Sequence, residues 1–389
     1  MGLYIGSQRV CPIVKVKGLD SKGKYLVTVI DYDGTILYQD HLDTGAVVYM
    51  PPPPNHPELT FLGWSCAQAI SYDGSSYYTT VADSDVTVGA YYTTVSGKTE
   101  IDIELTQATG LTVTCKMGGN PKDWGDGTSD STSSHTYSDY GTYTIKVNAT
   151  NWGSTTSTSG TFGQSSSTVN YYVKAIRVGG SMNTYNASYA LCYCYGLTKI
   201  SLKSLTNTTI GSYFMRNCIN LQGLVIPTGI KTINTYALYY ASQVLYPVLP
   251  NTVTSIGTYS CMYWQQAIVI QLPSGIASIP NSGLSYAQTV RSLKLPPNIT
   301  GIGTGGFNNC YSIQYLKIPK TAASIGGSAF TSMRGCIFDF TDYTSVPTLG
   351  AGAFNGYYPT AKILVPNSLL NTWKTTSNWT SYANIIVGV

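Results

Sequence analysis

Apolar residues recur every 23 residues through the second half of the chain, and this period restricts the fold more than any other feature. One column contains only isoleucine, at Ile210, Ile233, Ile256, Ile279, Ile302 and Ile325. A second contains proline after an aliphatic residue, at Pro227, Pro250, Pro273, Pro296 and Pro319. A single unit cannot bury its apolar face, whereas stacked units share one core. The period therefore predicts a solenoid whose rungs lie roughly 4.7–4.9 Å apart along a parallel sheet.

A third apolar column keeps the same step, at Met215, Leu238, Cys261, Leu284, Phe307 and Phe330. Ile-Gly recurs at 210–211, 256–257, 302–303 and 325–326, and Ala-Phe at 329–330 and 353–354. These units resemble the BspA-like family of leucine-rich repeats over about residues 170–389. The resemblance implies that the closing stretch, with Trp373 and Trp379, forms a helical cap over the last rung.

A different set of motifs lies in residues 97–150. Trp-Gly-Asp-Gly at 124–127 is followed by His-Thr-Tyr at 135–137 and Gly-Thr-Tyr at 141–143. Gly-Asp-Gly is typical of a tight turn that needs a positive φ, here at Gly127. The segment resembles the PKD domain, an immunoglobulin-like sandwich. Asp123, Asp126 and Asp130 have the oxygen ligands that Ca²⁺ prefers, but such turns also need Asp for local hydrogen bonds, so we predict no metal site.

Three further motifs lie in an upstream segment: Val-Thr-Val-Ile-Asp-Tyr-Asp-Gly at 27–34, Phe-Leu-Gly-Trp at 61–64 and Val-Thr-Val-Gly-Ala-Tyr-Tyr at 86–92. This segment resembles the internalin B-repeat type, a small β-grasp-like module that serves as a spacer. The predicted fold class is mainly β. Its parts are an N-terminal attachment segment (1–22), the internalin B-repeat-like module (23–96), the PKD-like domain (97–150), a Gly/Ser/Thr-rich linker (151–169) and the solenoid with its C-terminal cap (170–389).

Charge and chemistry are both sparse in this chain. Charged residues make up 10% of it, against roughly 25% in ordinary soluble domains. The net charge of +4 includes no Lys/Arg-rich run, which argues against nucleic acid as a partner. The whole chain contains three histidines, and the repeats contain few carboxylates. We therefore expect no catalytic residues, no cofactor and no enzyme activity. The nine cysteines contain no CxxC pair, which favours buried thiols.

One column of the repeats is unusually aromatic and lies between the core columns. Its members are Tyr193, Asn217, Tyr240, Tyr263, Tyr286, Asn309 and Ser332. Tyrosine rings and amides are common in surfaces that bind sugars or proteins. The predicted receptor-binding residues are Tyr193, Asn217, Tyr239, Tyr240, Tyr263, Trp264, Tyr286 and Asn309. Two alternatives remain: packing of these side chains between rungs, and a competing surface on the strands, formed by Lys199, Tyr246, Gln271, Lys294, Tyr315 and Lys317.

The sequence shows no export signal, and no run of 18 apolar residues that would insert into a membrane. Exported adhesins with such modules carry these signals, whereas phage structural proteins are assembled in the cytoplasm without them. We therefore predict a bacteriophage virion protein, a tail fibre or receptor-binding protein that presents the repeats to a host glycan or protein. Other virion proteins would contact its N-terminal segment, and it could form homo-oligomers. The alternatives are a capsid-decorating fibre and a bacterial cell-surface adhesin.

Overall fold

A computed structural model of the protein describes residues 24–389 and the backbone of two short paired strands, β1 (Tyr4–Ile5) and β2 (Gln8–Arg9). The rest of the predicted attachment segment, including Cys11, lies outside the described residues. The described part is mainly β-structure, as predicted, and the 23-residue solenoid is confirmed.

The first module contains two small sheets that enclose their own core. Its strands are β3 (Tyr25–Ile30), β4 (Ile36–Leu42), β5 (Val47–Tyr49), β6 (Leu59–Cys66), β7 (Ser71–Tyr72), β8 (Tyr77–Thr80) and β9 (Val86–Thr94). One sheet has the order β4-β3-β9-β6, with β3 and β9 parallel, and the other has the order β5-β8-β7. Val29, Val88 and Trp64 lie in the core between them.

The second module is built around a long antiparallel pair. Its strands are β10 (Thr99–Leu105), β11 (Thr112–Thr114), β12 (Lys122–Asp123), β13 (Ser129–Asp130), β14 (Ser134–Thr136) and β15 (Gly141–Val147). Gly127 has a φ of +89°, as the tight turn requires. Asp126 accepts hydrogen bonds from the Thr128 amide and hydroxyl, and its carboxylate lies 2.7 Å from His135 Nε2. The turn thus uses this carboxylate for local hydrogen bonding.

The second module shares a sheet and an apolar core with the solenoid. Strand β16 (Val173–Arg177) pairs antiparallel with β10 and parallel with β17 (Lys199–Ser201), the next rung. One apolar core consequently runs from Ile101 to Ile386. The predicted linker, 151–169, connects the two parts and also contributes buried Trp152 and Phe162 to this core.

The repeats form two parallel ladders. The isoleucine column lies in β18 (Thr209–Ile210), β19 (Thr232–Ile233), β20 (Ser255–Ile256), β21 (Ser278–Ile279), β22 (Gly301–Ile302) and β24 (Ser324–Ile325), and β26 (Thr348–Leu349) extends this ladder with a leucine. In the other ladder β16 and β17 pair at the N-terminal end, and Val225 and Val248 form an isolated parallel bridge in the rungs that follow. Regular strands then resume as a separate sheet with β23 (Tyr315–Lys317), β25 (Ile337–Asp339), β27 (Lys362–Val365) and β28 (Ile386–Gly388). The six isoleucines of the column are all buried, so the proposed register is confirmed.

A short helical segment closes the C-terminal end of the core. It contains the 3₁₀ turn Asn367–Leu369, helix α1 (Leu370–Thr375) and the 3₁₀ turn Trp379–Tyr382. Trp373 and Trp379 are fully buried and pack on Phe340. The Trp379 indole N–H donates to the Pro347 carbonyl at 2.9 Å, which satisfies its polar atom in the core.

Candidate ligand-binding surface

The first module covers part of the ladder that begins with β16 and β17, which we call the strand ladder. Ile30 and Tyr91 form a small apolar cluster with Val225, Val248 and Val269, whose side chains point away from the solenoid core. These valines alternate with core residues, so they would be exposed if the module were absent. The module is therefore docked on the solenoid and is not an extended spacer.

Polar contacts extend this interface across the surface that competes with the aromatic column. Gln39 donates to the Tyr246 hydroxyl at 2.9 Å, and Gln271 Nε2 donates to Gln68 at 3.4 Å. Lys199 lies 3.0 Å from Asp33. Lys294 pairs with Asp83 as well. Of the strand-face residues that we predicted as a competing surface, only Tyr315 and Lys317 lie outside these contacts, and Lys317 pairs with Asp342.

Within residues 24–389, no hydrogen bond or ion pair joins the first module to the turns that follow the isoleucine strands. Each repeat has two positions with a left-handed backbone there. The first series is Tyr189, Tyr213, Tyr236, Tyr259, Ser282, Gly305, Ser328 and Gly352, and the second is Tyr193, Asn217, Tyr240, Tyr263, Tyr286, Asn309, Ser332 and Gly356. The second series contains the predicted aromatic column. A positive φ costs an L-residue about 1–2 kcal/mol, so each tyrosine at these positions destabilises the turn relative to glycine.

Hydrogen bonds between rungs hold the backbone in this conformation. The N–H of Tyr213 donates to Thr235 O at 3.0 Å, and the N–H of Tyr236 donates to Thr258 O at 3.0 Å. In the second series, the N–H of Tyr240 donates to Met262 O at 2.9 Å. The solenoid thus requires the left-handed turn. Glycine, as at Gly305 and Gly352, adopts this conformation without steric strain, so the backbone does not require tyrosine there.

Four tyrosines of the first series stack face to face. The ring centroids of Tyr189, Tyr213, Tyr236 and Tyr259 are 4.5, 4.9 and 4.6 Å apart in succession, with interplanar angles of 8°, 11° and 17°. We call these four residues the tyrosine ladder. All four side chains are half-buried, so each ring both supports its neighbour and contributes to the surface.

The second series contributes a neighbouring group of rings. Tyr263 stacks on Tyr286 with a centroid distance of 4.4 Å, and its other contacts with Tyr239 and Tyr240 are edge-to-face. We call the second-series tyrosines Tyr193, Tyr240, Tyr263 and Tyr286, together with the adjacent Tyr239, the tyrosine row. The tyrosine ladder and the tyrosine row together form the tyrosine face. Burial, with a smaller effect from Tyr286, raises the pKa of Tyr263 to about 12, so this hydroxyl stays protonated at neutral pH.

The ladder and row meet at one arginine. The Arg216 guanidinium carbon lies 5.4–5.5 Å from the ring centroids of Tyr193, Tyr213, Tyr236 and Tyr239. Such distances allow attraction between the cation and the negative ring faces. Neither the ladder nor Arg216 was among the predicted site residues, although the 23-residue spacing of Tyr213, Tyr236 and Tyr259 is visible in the sequence.

The predicted candidates are not all on this surface. Trp264 is fully buried, and its indole N–H donates to Leu238 O at 3.0 Å. It is a core residue, because the bulky ring follows the left-handed position and turns inward. Asn217 is half-buried between Tyr193 and Tyr240 in the second series. Asn309 is half-buried one rung after Tyr286, and it accepts a hydrogen bond from the Tyr311 hydroxyl at 2.9 Å.

The described residues form no reactive thiol pair, no metal-binding cluster and no membrane-spanning helix. The eight described cysteines are buried and unpaired, and burial raises the pKa of Cys261 to about 12. Within 24–389, no three His, Cys, Asp or Glu side chains are grouped to hold a metal ion. No helix among the described residues is both long and apolar enough to span a bilayer.

The fold and its stacked turns define a leucine-rich-repeat protein. Residues 173–289 and 260–378 match the BspA type leucine rich repeat region, in six copies that together span more than half of the chain. The chain belongs to this family. A search of curated protein sequences finds no significant match. The resemblances of the two N-terminal modules to PKD and internalin B-repeat domains remain predictions.

Three solved structures of leucine-rich proteins match parts of the chain at low identity. A leucine-rich repeat protein of T. pallidum is 21% identical (37% of this chain and 67% of that one, TM-score 0.34). One from Bacteroides ovatus is 19% identical (50% and 65%, TM-score 0.36). A leucine rich cell surface protein from Faecalibacterium prausnitzii is 20% identical (48% and 64%, TM-score 0.33). The chain thus spans about two thirds of the length of each.

Proposed function

We propose that the protein is a surface-exposed adhesin that binds its ligand through the tyrosine face. The observation that carries this proposal is the set of tyrosines held at left-handed positions. Gly, Ser or Asn occupies the same positions in the later rungs at lower conformational cost. Local rules are expected to be broken mainly at functional sites, which supports a role for these rings beyond packing.

Two further observations support this assignment of the surface. The strand ladder is partly covered by the first module, whereas the rings of the tyrosine face remain half-exposed. Tyr193 and Tyr286 are four rungs apart, which corresponds to roughly 19 Å at the rung spacing of a parallel sheet. A surface of this length accommodates an extended glycan or peptide rather than a small metabolite.

Membership in the BspA-type family favours an adhesin at a bacterial surface over a virion protein. The virion assignment, with its N-terminal attachment to other virion proteins, has no support from the matches and remains a prediction. The absence of enzyme activity also remains a proposal. Flanking genes for tail proteins and holin would revive the phage hypothesis.

The test replaces three rings of the row without changing the backbone requirement. The variant is Tyr240→Asn, Tyr263→Asn, Tyr286→Asn. Asn occupies the same register at Asn217 and Asn309 with a φ of 62°, so the turns should be retained. Aromatic contacts contribute about 0.5–1.5 kcal/mol each, so binding should weaken by about tenfold to a thousandfold.

Binding of labelled protein to a panel of intact bacterial and animal cells would be measured beside circular dichroism melts. The matched control removes three exposed tyrosines outside the solenoid, as Tyr72→Asn, Tyr77→Asn, Tyr140→Asn. We expect the control to attach like the parent protein. Equal attachment by a folded row variant, or no attachment by the parent protein to any cell, would contradict the proposal.

A further inference from the structure

The solenoid has an extreme imbalance of charge. No Asp or Glu occurs between Asp139 and Asp339. The same stretch contains twelve basic residues, namely Lys146, Lys174, Arg177, Lys199, Lys203, Arg216, Lys231, Arg291, Lys294, Lys317, Lys320 and Arg334. A surface with cations and no carboxylates attracts anionic ligands and repels cationic ones.

Half of these cations are already paired with carboxylates from elsewhere in the chain. The paired residues are Lys146, Lys174, Arg177, Lys199, Lys294 and Lys317. Their partners lie in the first module, the second module or at Asp342. Arg216 forms no ion pair with any described residue, and its buried Nε atom has no hydrogen-bond acceptor. The side chain is half-buried, and no described carboxylate neutralises its positive charge.

The surroundings of Arg216 distinguish it from the other unpaired cations. Four tyrosine rings surround its guanidinium at 5.4–5.5 Å, and these rings belong to the ladder and the row. Arg334 also lies over two rings, but its Nη1 donates to the Tyr358 hydroxyl at 3.0 Å. Arg216 thus combines an unmatched charge with flat aromatic faces on several sides.

These two features match one ligand chemistry. A guanidinium offers a planar fork of donors that fits a carboxylate, whereas a lysine ammonium acts as a point charge. Tyrosine rings supply rigid contact area for the apolar face of a sugar ring, and their hydroxyls supply hydrogen bonds. We infer that Arg216 binds the carboxylate of an acidic saccharide whose neighbouring sugar units lie along the tyrosine face. This inference rests on the proposed function and specifies its ligand class.

The test uses an acidic oligosaccharide and its neutral counterpart. Hexagalacturonate and the same hexasaccharide with all carboxylates methyl-esterified would be titrated into the full chain by calorimetry. We expect the acidic form to bind at least tenfold more tightly. Arg216→Met keeps an unbranched apolar stem between the rings and should lose about tenfold to a hundredfold in affinity, the value of a charged hydrogen-bonded contact.

Two controls separate this site from general charge attraction. Arg291→Met removes one exposed arginine from the solenoid and should leave the affinity within about twofold. Arg216→Lys keeps the charge without the planar fork and should bind weakly, like Arg216→Met. Melting curves would verify that each variant is folded.

The inference would be overturned by equal binding of the esterified hexasaccharide, by equal losses in Arg216→Met and Arg291→Met, or by no binding of hexagalacturonate. Competition by poly-L-glutamate at equal carboxylate concentration would also overturn it, because the site would then recognise an acidic peptide. These results leave the proposed function separately testable. Cell attachment that is lost in the row variant but retained in Arg216→Met would support an aromatic binding face without an acidic saccharide.

Discussion

The left-handed tyrosines predict an unusual order of stability between two substitutions at Tyr236. Its φ is +58°, and its ring stacks on Tyr213 and Tyr259 at 4.9 and 4.6 Å. Both Tyr236→Gly and Tyr236→Ala remove these two stacked contacts, which together contribute about 1–3 kcal/mol. Both variants should therefore be less stable than the parent protein.

The difference between the two variants isolates the backbone conformation. Alanine retains the left-handed cost of about 1–2 kcal/mol, whereas glycine avoids it. Glycine loses about 0.5–1 kcal/mol through the greater freedom of the unfolded chain. Tyr236→Gly should accordingly be more stable than Tyr236→Ala by up to about 1.5 kcal/mol, the reverse of the order in an ordinary strand.

Thr232 provides the matched control because it lies in the extended strand β19 of the same repeat. Thr232→Gly should be less stable than Thr232→Ala by about 0.5–1 kcal/mol. Free energies of unfolding would be obtained from urea titrations monitored by circular dichroism. If Tyr236→Ala proves more stable than Tyr236→Gly, the left-handed assignment for the tyrosine ladder is wrong.

Four further predictions follow from the core, the interface, the turn and the thiols. Ile279→Asp places an unpaired charge among buried side chains and should cost several kcal/mol in a thermal melt; an unchanged melting temperature would refute the register. Val248→Asp should release the first module while the solenoid remains folded, seen as faster hydrogen exchange over residues 24–94 only; uniform protection would refute the docked interface. Burial opposes ionisation of Asp126, but hydrogen bonds from Thr128 and His135 outweigh this effect and lower its pKa to about 2. The stabilisation by this carboxylate is therefore present above about pH 4 and lost towards pH 2. In Asp126→Asn the melting temperature should fall less between pH 4 and pH 2 than in the parent protein. In a Cys11→Ser variant the buried thiols should react with Ellman's reagent only after unfolding, and rapid native reaction would contradict their burial.

The repeat architecture could be predicted because it depends on a periodic pattern. Three apolar columns at one spacing identify the inward-facing residues, and Ile279 and Phe307 lie where that pattern requires. The resemblance to the repeat family predicted the C-terminal cap, and Trp379 is buried there as that resemblance implies. The turn at Gly127 was predictable from local chemistry alone.

The candidate site depended on geometry that no spacing reveals. The 23-residue period puts Tyr240 and Trp264 close together, but only the folded turn shows that one ring stays at the surface and the other enters the core. The sequence by itself determined which residues share a column. The tertiary structure decided the sign of φ in each turn, the convergence of four rings on Arg216, and the docking of the first module on Val225 and Val248. Inter-rung hydrogen bonds and contacts between distant modules set these features. The period shows which positions are equivalent, but neither the backbone conformation at a position nor the partner of an exposed face can be obtained from a spacing.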